Sequence, residues 1–191
     1  MRSLTSIGVV LVVLLLLFMG GCSSYNGFVD AEEDVDRAWA DVQTQYERRA
    51  SLIPNLVATV KGASENEKDI LIGVTDARTG ASAYKELINK AQTPSELQGV
   101  GDQINSQISV IFERYPEIRS TNNFSDLQAQ LEGTENRIAV ERQNFNAVAT
   151  SYNKRVRRFP GSFFASIFGF EEKAQFEAQA GAEQAPEVNF D

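Results

Sequence analysis

The sequence predicts an all-α protein: an antiparallel up-and-down four-helix bundle with long helices, behind an N-terminal lipoprotein signal and before a disordered acidic C-terminal tail. Three observations predict it. Phe28, Val35, Val42 and Leu56 form one apolar row, and Trp39, Tyr46, Ile53 and Val60 form a second, offset row with the same heptad spacing. Together they make a continuous stripe on one α-helix, of the kind seen in coiled coils and bundles. Apolar residues three and four apart return in the long polar-rich stretches that follow. After Val13 no long β-branched run remains from which strands could be built.

The length, 191 residues, suits one domain with appendages. The formal net charge of −8 disfavours nucleic acid, whose non-specific binding rests on neutralising phosphates. There is no His, and the single Cys is Cys22. An intramolecular disulfide is therefore excluded. So are imidazole or multi-thiolate metal sites, Ser-His triads and Cys-His dyads. No cofactor or metal is expected.

Residues 1–21 read as a signal peptide. Arg2 and the amino terminus form a minimal positive region, and Ile7 to Met19 is apolar. That run is shorter than the roughly 20 residues a spanning helix needs. It ends Met19-Gly20-Gly21-Cys22, which looks like a bacterial lipobox with Met19 where Leu is usual. Cleavage before Cys22 and acylation there, with chains such as palmitate, would anchor the protein stably. The alternative is an uncleaved anchor over residues 3–21. Either way the remainder faces the periplasm or cell exterior. Ser23 after the Cys favours the outer membrane in a two-membrane bacterium.

The first bundle helix is expected from about Phe28 to Val60, with Asp30, Glu32, Glu33, Asp34 and Asp36 at its positive end. Pro54 cannot donate to the Ala50 carbonyl and predicts a kink. The stripe keeps phase across it, so the preferred break is Gly62 to Ser64. An alternative ends the helix near Arg49 and starts the next with Ser51 as N-cap. Ser64 and Glu67 form a capping box for a second helix carrying Val74, Ala77, Ala81, Tyr84 and Ile88. Thr93-Pro94-Ser95-Glu96 places Thr at N-cap, Pro at N1 and Glu at N3 of a third helix, which stops at Pro116. Asn122 or Asn123 caps the fourth, whose stripe runs from Phe124 to Phe159. Phe159-Pro160-Gly161 ends it, before an aromatic run from Phe163 to Phe170. Residues 171–191 are acidic and Ala/Gln-rich, and read as a flexible tail.

Tyr25-Asn26, Trp39, Arg48-Arg49, Leu52-Ile53-Pro54-Asn55-Leu56-Val57, Thr134-Glu135-Asn136-Arg137-Ile138-Ala139, Arg142, Tyr152-Asn153, Phe159-Pro160 and Phe168-Gly169-Phe170 resemble the LemA family. The likeness covers nearly all the chain after Cys22, so residues 22–170 form a LemA-like domain. The resemblance implies a membrane-attached extracytoplasmic helical bundle and implies no activity. Family members usually carry an N-terminal membrane helix, whereas this chain has a lipobox. Phe145-Asn146 stands where relatives commonly have Tyr-Asn.

Three groups are candidate sites. Arg48, Arg49 and Asn55 flank Pro54, where a long polar side chain can serve the freed carbonyl. They would either recognise a partner carboxylate or act internally, Arg49 pairing with a buried acid such as Glu135. Glu135, Arg142, Asn146 and Asn153 share one face of the last helix as a polar ladder that can fix register. Lys154, Arg155, Arg157 and Arg158 sit at the negative end of that helix. With Phe163, Phe164 and Phe168 they could contact a membrane surface; alternatively the aromatics plug the core. The expected function is a lipid-anchored scaffold or interaction module of the cell envelope, not an enzyme, bound to the membrane through Cys22 and to other envelope proteins. The alternative is membrane-surface binding or remodelling through the basic end and residues 163–170.

Overall fold

The computed structural model describes residues 2–63, 80–116 and 122–177. Among these no strand occurs, as the apolar spacing requires. The helices are α1 (Arg2–Ala50), α2 (Ile53–Ala63), α3 (described over residues 80–90), α4 (Pro94–Arg114), α5 (Asn122–Arg157) and α6 (Gly161–Phe168).

The described helices differ from the four expected in three ways. First, α1 starts at Arg2 rather than Phe28. Gly20 and Gly21 each cost about 1 kcal/mol in a helix, but no Pro intervenes, and lengthening an existing helix needs no new nucleus. Second, a break falls at Ser51-Leu52, the alternative boundary; α2 is described to Ala63, so the preferred break at Gly62 to Ser64 lies at the limit of the described residues. The Ser64–Glu67 box lies outside the described residues, as do Val74 and Ala77. Third, the aromatic run is itself helical, as α6. Gly169 ends it at φ 79°, and the N–H groups of Gly169 and Phe170 both donate to the Ala165 carbonyl, at 2.9 and 3.0 Å. This left-handed cap is a glycine conformation. The Phe159–Pro160 peptide is cis. No helix among the described residues is long and apolar enough to cross a membrane.

The chain divides into two compact units. Unit 1 comprises Met1–Gln45 and Asn136–Ala174. Its core joins Phe28, Val35, Ala38 and Val42 of α1 to Ile138, Phe145, Tyr152 and Val156 of α5, all buried. Trp39 meets Phe145 at 5.4 Å between ring centroids, while Gly27 meets Arg155, so these stretches of α1 and α5 run antiparallel.

Unit 2 comprises Tyr46–Glu135 and Gln175–Asp191. Ile53 and Leu56 of α2, Ile88 of α3, Leu97 and Ile104 of α4 and Leu131 of α5 are buried in it. Each of the fully buried ones is worth about 1.5–3 kcal/mol. The cap of α4 is the expected capping box. Thr93 Oγ1 accepts from the Glu96 N–H at 3.2 Å, and Glu96 Oε2 accepts from the N–H groups of Thr93 and Gln92. The box fixes where α4 starts and contributes about 1 kcal/mol. Tyr115 follows the last helical residue, Arg114, just before Pro116.

Candidate functional site

Pro54 and Ser51 together explain the break between α1 and α2. Pro54 has no N–H for the Ala50 carbonyl. Ser51 does not act as the alternative N-cap: its hydroxyl donates back to the Glu47 carbonyl at 2.8 Å, a bond that bends helices. The Leu52 N–H turns to the Arg49 carbonyl at 3.1 Å, tightening the last turn, and the Leu56 N–H resumes helical bonding with Leu52. The break brings Ala50, Leu52 and Ile53 all into the core.

Arg49, at the end of α1, forms an ion pair through Nη1 with Glu135 Oε2 of α5. The Arg49 side chain is 12% exposed and that of Glu135 52%. The pairing with Glu135 read from the apolar stripe is thus present, but the acid is half exposed rather than buried, and one guanidinium nitrogen engages it. Arg48 and Asn55, the other two residues of that group, lie exposed. Beside the ion pair, α4 and α5 leave a cleft of about 650 Å³. Asn105, Ile108, Ser109 and Phe112 of α4 line one side, and Phe124, Gln128, Leu131, Glu132 and Glu135 of α5 line the other, with Arg49. Each set falls at helical spacing, so each is one helix face. Two buried polar atoms at this cleft have no partner: Arg49 Nε and Asn105 Oδ1. Asn105 was not legible in the sequence, since it is one polar residue inside an ordinary amphipathic pattern.

The expected ladder on α5 resolves into separate engagements. Glu135 serves Arg49. Asn153 clamps the chain after α6: its Nδ2 donates to the Lys173 carbonyl at 2.9 Å and its Oδ1 accepts the Lys173 N–H at 2.8 Å. Arg142 and Asn146 are half-buried. The clamp corrects the expectation of a flexible tail from Glu171. Lys173 Nζ pairs with Glu32 Oε1 at 2.5 Å and lies 5.6 Å from the centre of the Tyr152 ring. Arg157 pairs with Glu172 at 3.5 Å, and Phe176 is buried. Residues 178–191 lie outside the described residues. The Tyr152 hydroxyl is buried without a partner. Burial pushes it up to about 12, helped by the negative charges of Glu32, Asp36 and Glu171.

The aromatic run divides by face. Phe164 packs towards Gly21, Phe168 meets Tyr25 edge-on at 5.2 Å, and Phe170 contacts Tyr25 and Phe28. These residues seat α6 on α1 next to Cys22, which is exposed. A side chain at Gly161 would strike the Arg155 carbonyl, so glycine permits this approach. The opposite face is bare: Phe159 is 87% exposed, Phe163 58% and Ile167 61%. Thus Phe163 faces out, Phe164 is turned towards α1, and Phe168 is shared. Phe159 and Ile167 join the outward row. Of the basic cluster, Arg155 donates to the Gly27 carbonyl at 3.0 Å and Arg157 holds Glu172. Lys154 and Arg158 remain exposed. Among the described residues no group of three or more His, Cys, Asp or Glu could hold a metal ion.

The magnetosome proteins MamQ 1 and MamQ 2 of Paramagnetospirillum magneticum are each 25% identical to this chain over 175 residues, covering 80% of it. The chain spans 64% of the length of these two relatives. Protein LemA of Metamycoplasma hominis is 22% identical over 153 residues, covering 80% of this chain and 68% of that protein. The LemA family model matches residues 38–190, from the last quarter of α1 onward. The chain belongs to the LemA family.

Proposed function

We propose that this protein is a non-catalytic interaction module of the cell envelope, held on the membrane surface by acyl groups on Cys22 and by the bare face of α6. In this reading residues 1–21 are its signal peptide, its helices form an up-and-down bundle, and it meets other envelope proteins on the periplasmic or outer side. One observation carries the reading. Phe159, Phe163 and Ile167 form an exposed apolar row on and just before a helix packed on Tyr25, three residues after Cys22, with Lys154 and Arg158 exposed nearby. Large apolar side chains left in water next to basic ones are the composition of an interfacial segment. Burying each recovers about 1.5–3 kcal/mol, and each nearby cation adds about 1 kcal/mol at an anionic surface.

The test is flotation of a chain beginning at Ser23, which lacks both apolar leader and acylation site, with phosphatidylglycerol vesicles. It is expected to float, less so in high salt, and to stay in the soluble fraction when Phe159, Phe163 and Ile167 are all replaced by Ser. Failure of the unsubstituted chain to bind refutes membrane contact by α6.

A further inference from the structure

We propose that residues 170–173 form an exchangeable strap: the seat they occupy on α1 and α5 takes the same segment from a second copy of this chain, so that two copies join by trading straps. The observations lie within unit 1. The strap has no helix of its own, and the seat reads it at three points. The Phe170 ring fills an aromatic corner, 5.7 Å from the Tyr25 ring and 5.0 Å from that of Phe28 between centroids. Asn153 grips the Lys173 backbone, accepting its N–H at 2.8 Å and donating to its carbonyl at 2.9 Å. The Lys173 ammonium meets Glu32 Oε1 at 2.5 Å and lies 5.6 Å from the centre of the Tyr152 ring, around which Asp36 and Glu171 add negative charge. Main-chain hydrogen bonds joined to side-chain pockets are how proteins hold extended peptides, and here the peptide is in place.

Sequence and charge name the occupant. A Phe followed three residues later by Lys or Arg occurs once in the chain, at Phe170 and Lys173, and Lys173 is the only cation after Arg158. A second copy therefore carries one segment that fits the acidic seat, and carries it in full. Trading straps keeps every contact, because seat and strap are the same in both copies; this makes exchange a low-cost route to a dimer. The joint permits it. Gly169 ends α6 at φ 79°, and a glycine moves to negative φ without a Cβ penalty, so the strap has a second direction in which to leave. Opening is local: the Lys173 and Glu32 side chains are each 34% exposed, and such contacts open more readily than a helical core. Within one chain the strap meets its seat at an effective concentration on the order of millimolar, so exchange competes where copies are crowded to that level. The proposal goes beyond the membrane reading and does not rest on it. Flotation and strap exchange are separate readouts, so either can fail alone.

The experiment uses the full chain in detergent micelles, with the photo-crosslinker p-benzoylphenylalanine in place of Phe170. Unlabelled and isotopically heavy copies are mixed at about millimolar concentration and irradiated, and mass spectrometry separates links within one copy from links between a labelled and an unlabelled copy. Links between copies to Tyr25 or Phe28 are expected, with a share that rises with concentration. Charge reversal then isolates exchange from other association. Glu32→Lys alone and Lys173→Glu alone set like charges together in either arrangement, so the ratio of between-copy to within-copy links should stay that of the wild type. In an equal mixture of the two variants, only straps traded between unlike copies bring opposite charges together. There the ratio is expected to rise at least about tenfold, the effect of two half-exposed ion pairs regained and their repulsions removed. Circular dichroism confirms that each variant is folded; if either is not, the wild-type isotope mixture decides by itself. Links confined to single copies, between-copy links that avoid Tyr25 and Phe28, or an unchanged ratio in the mixed variants would each overturn the proposal.

Discussion

Two glycines of α4, two positions apart, should respond to the same substitution with opposite sign. A Cβ at Gly99 meets nothing within 4 Å, and Gly99 is exposed. Gly99→Ala therefore registers only the backbone benefit, about 0.5–1 kcal/mol for replacing a helical glycine by alanine. Gly101 is buried against the ring of Tyr46: a Cβ there would overlap Cε1 and lie 3.2 Å from Cζ and 3.3 Å from Cδ1. Tyr46 is only 4% exposed and has little room to yield. Overpacking of this kind costs about 1–3 kcal/mol or more, which outweighs the helix benefit. The net expectation for Gly101→Ala is a loss of about 1–2 kcal/mol. At roughly 2–4 °C per kcal/mol for a chain of this size, Gly99→Ala should raise Tm by a few degrees and Gly101→Ala should lower it by a similar amount. Thermal unfolding followed at 222 nm reads both. Adding Tyr46→Leu to Gly101→Ala should return part of the loss as a coupling energy in a double-mutant cycle. A Gly101→Ala protein that melts at or above Gly99→Ala refutes the close α1–α4 approach from which these magnitudes derive.

Other outcomes follow from the polar contacts. Glu135→Gln leaves the poorly exposed Arg49 guanidinium without its counter-ion and should cost about 1–3 kcal/mol in a denaturant titration, discounted from a fully buried pair because Glu135 is half exposed. Adding Arg49→Met should recover most of that loss; an unchanged midpoint for Glu135→Gln alone contradicts the pairing. Asn153→Ala removes both hydrogen bonds to the Lys173 backbone, each worth about 0.5–1.5 kcal/mol. Exchange of the Lys173 amide should quicken at least about tenfold, and trypsin should cut after Lys173 sooner, while wild-type rates would argue against the clamp. Tyr152 titrates higher folded, at about 12, than its ordinary 10.0. The folded state therefore holds this proton more tightly than the unfolded state. Stability from this group is complete below pH 10 and declines as pH rises from 10 towards 12. Tyr152→Phe should abolish that part of the alkaline loss and cost little at pH 7, since the hydroxyl has no partner; identical alkaline melting curves would count against it.

Much of this architecture is legible in local sequence because helix signals are local. The heptad rows put Val42, Tyr46, Ile53, Leu56 and Val60 in the core, and all five are buried. The Thr93–Glu96 box reads directly from four consecutive residues. The Arg49–Glu135 pair was inferable as one of two readings, because an arginine inside an apolar stripe needs a counter-charge. The family strings, read in order, led to the family the comparison supports.

The remainder was decided by tertiary contact. Periodicity is the same on both sides of Pro54, so it could not choose between a kink and a break; the back-bonded Ser51 and the burial of Leu52 and Ile53 together decided it. Composition made residues after Glu171 look unable to order, because their own apolar content is low. Asn153 holds Lys173 from 20 residues away and Glu32 holds it from 141, neither of which local composition can report. The Phe163 to Phe170 run reads as uniformly apolar in sequence, and only the docking of α6 on Gly21, Tyr25 and Phe28 sorts it into an inner and an outer face. The sequence by itself determined a helical LemA-family chain and which stripes are buried, because those depend on neighbours three and four residues apart. The tertiary structure decided the break, the held tail, the bare face of α6 and the unpaired atoms at the Arg49 cleft, because each depends on residues that meet only after the chain has folded.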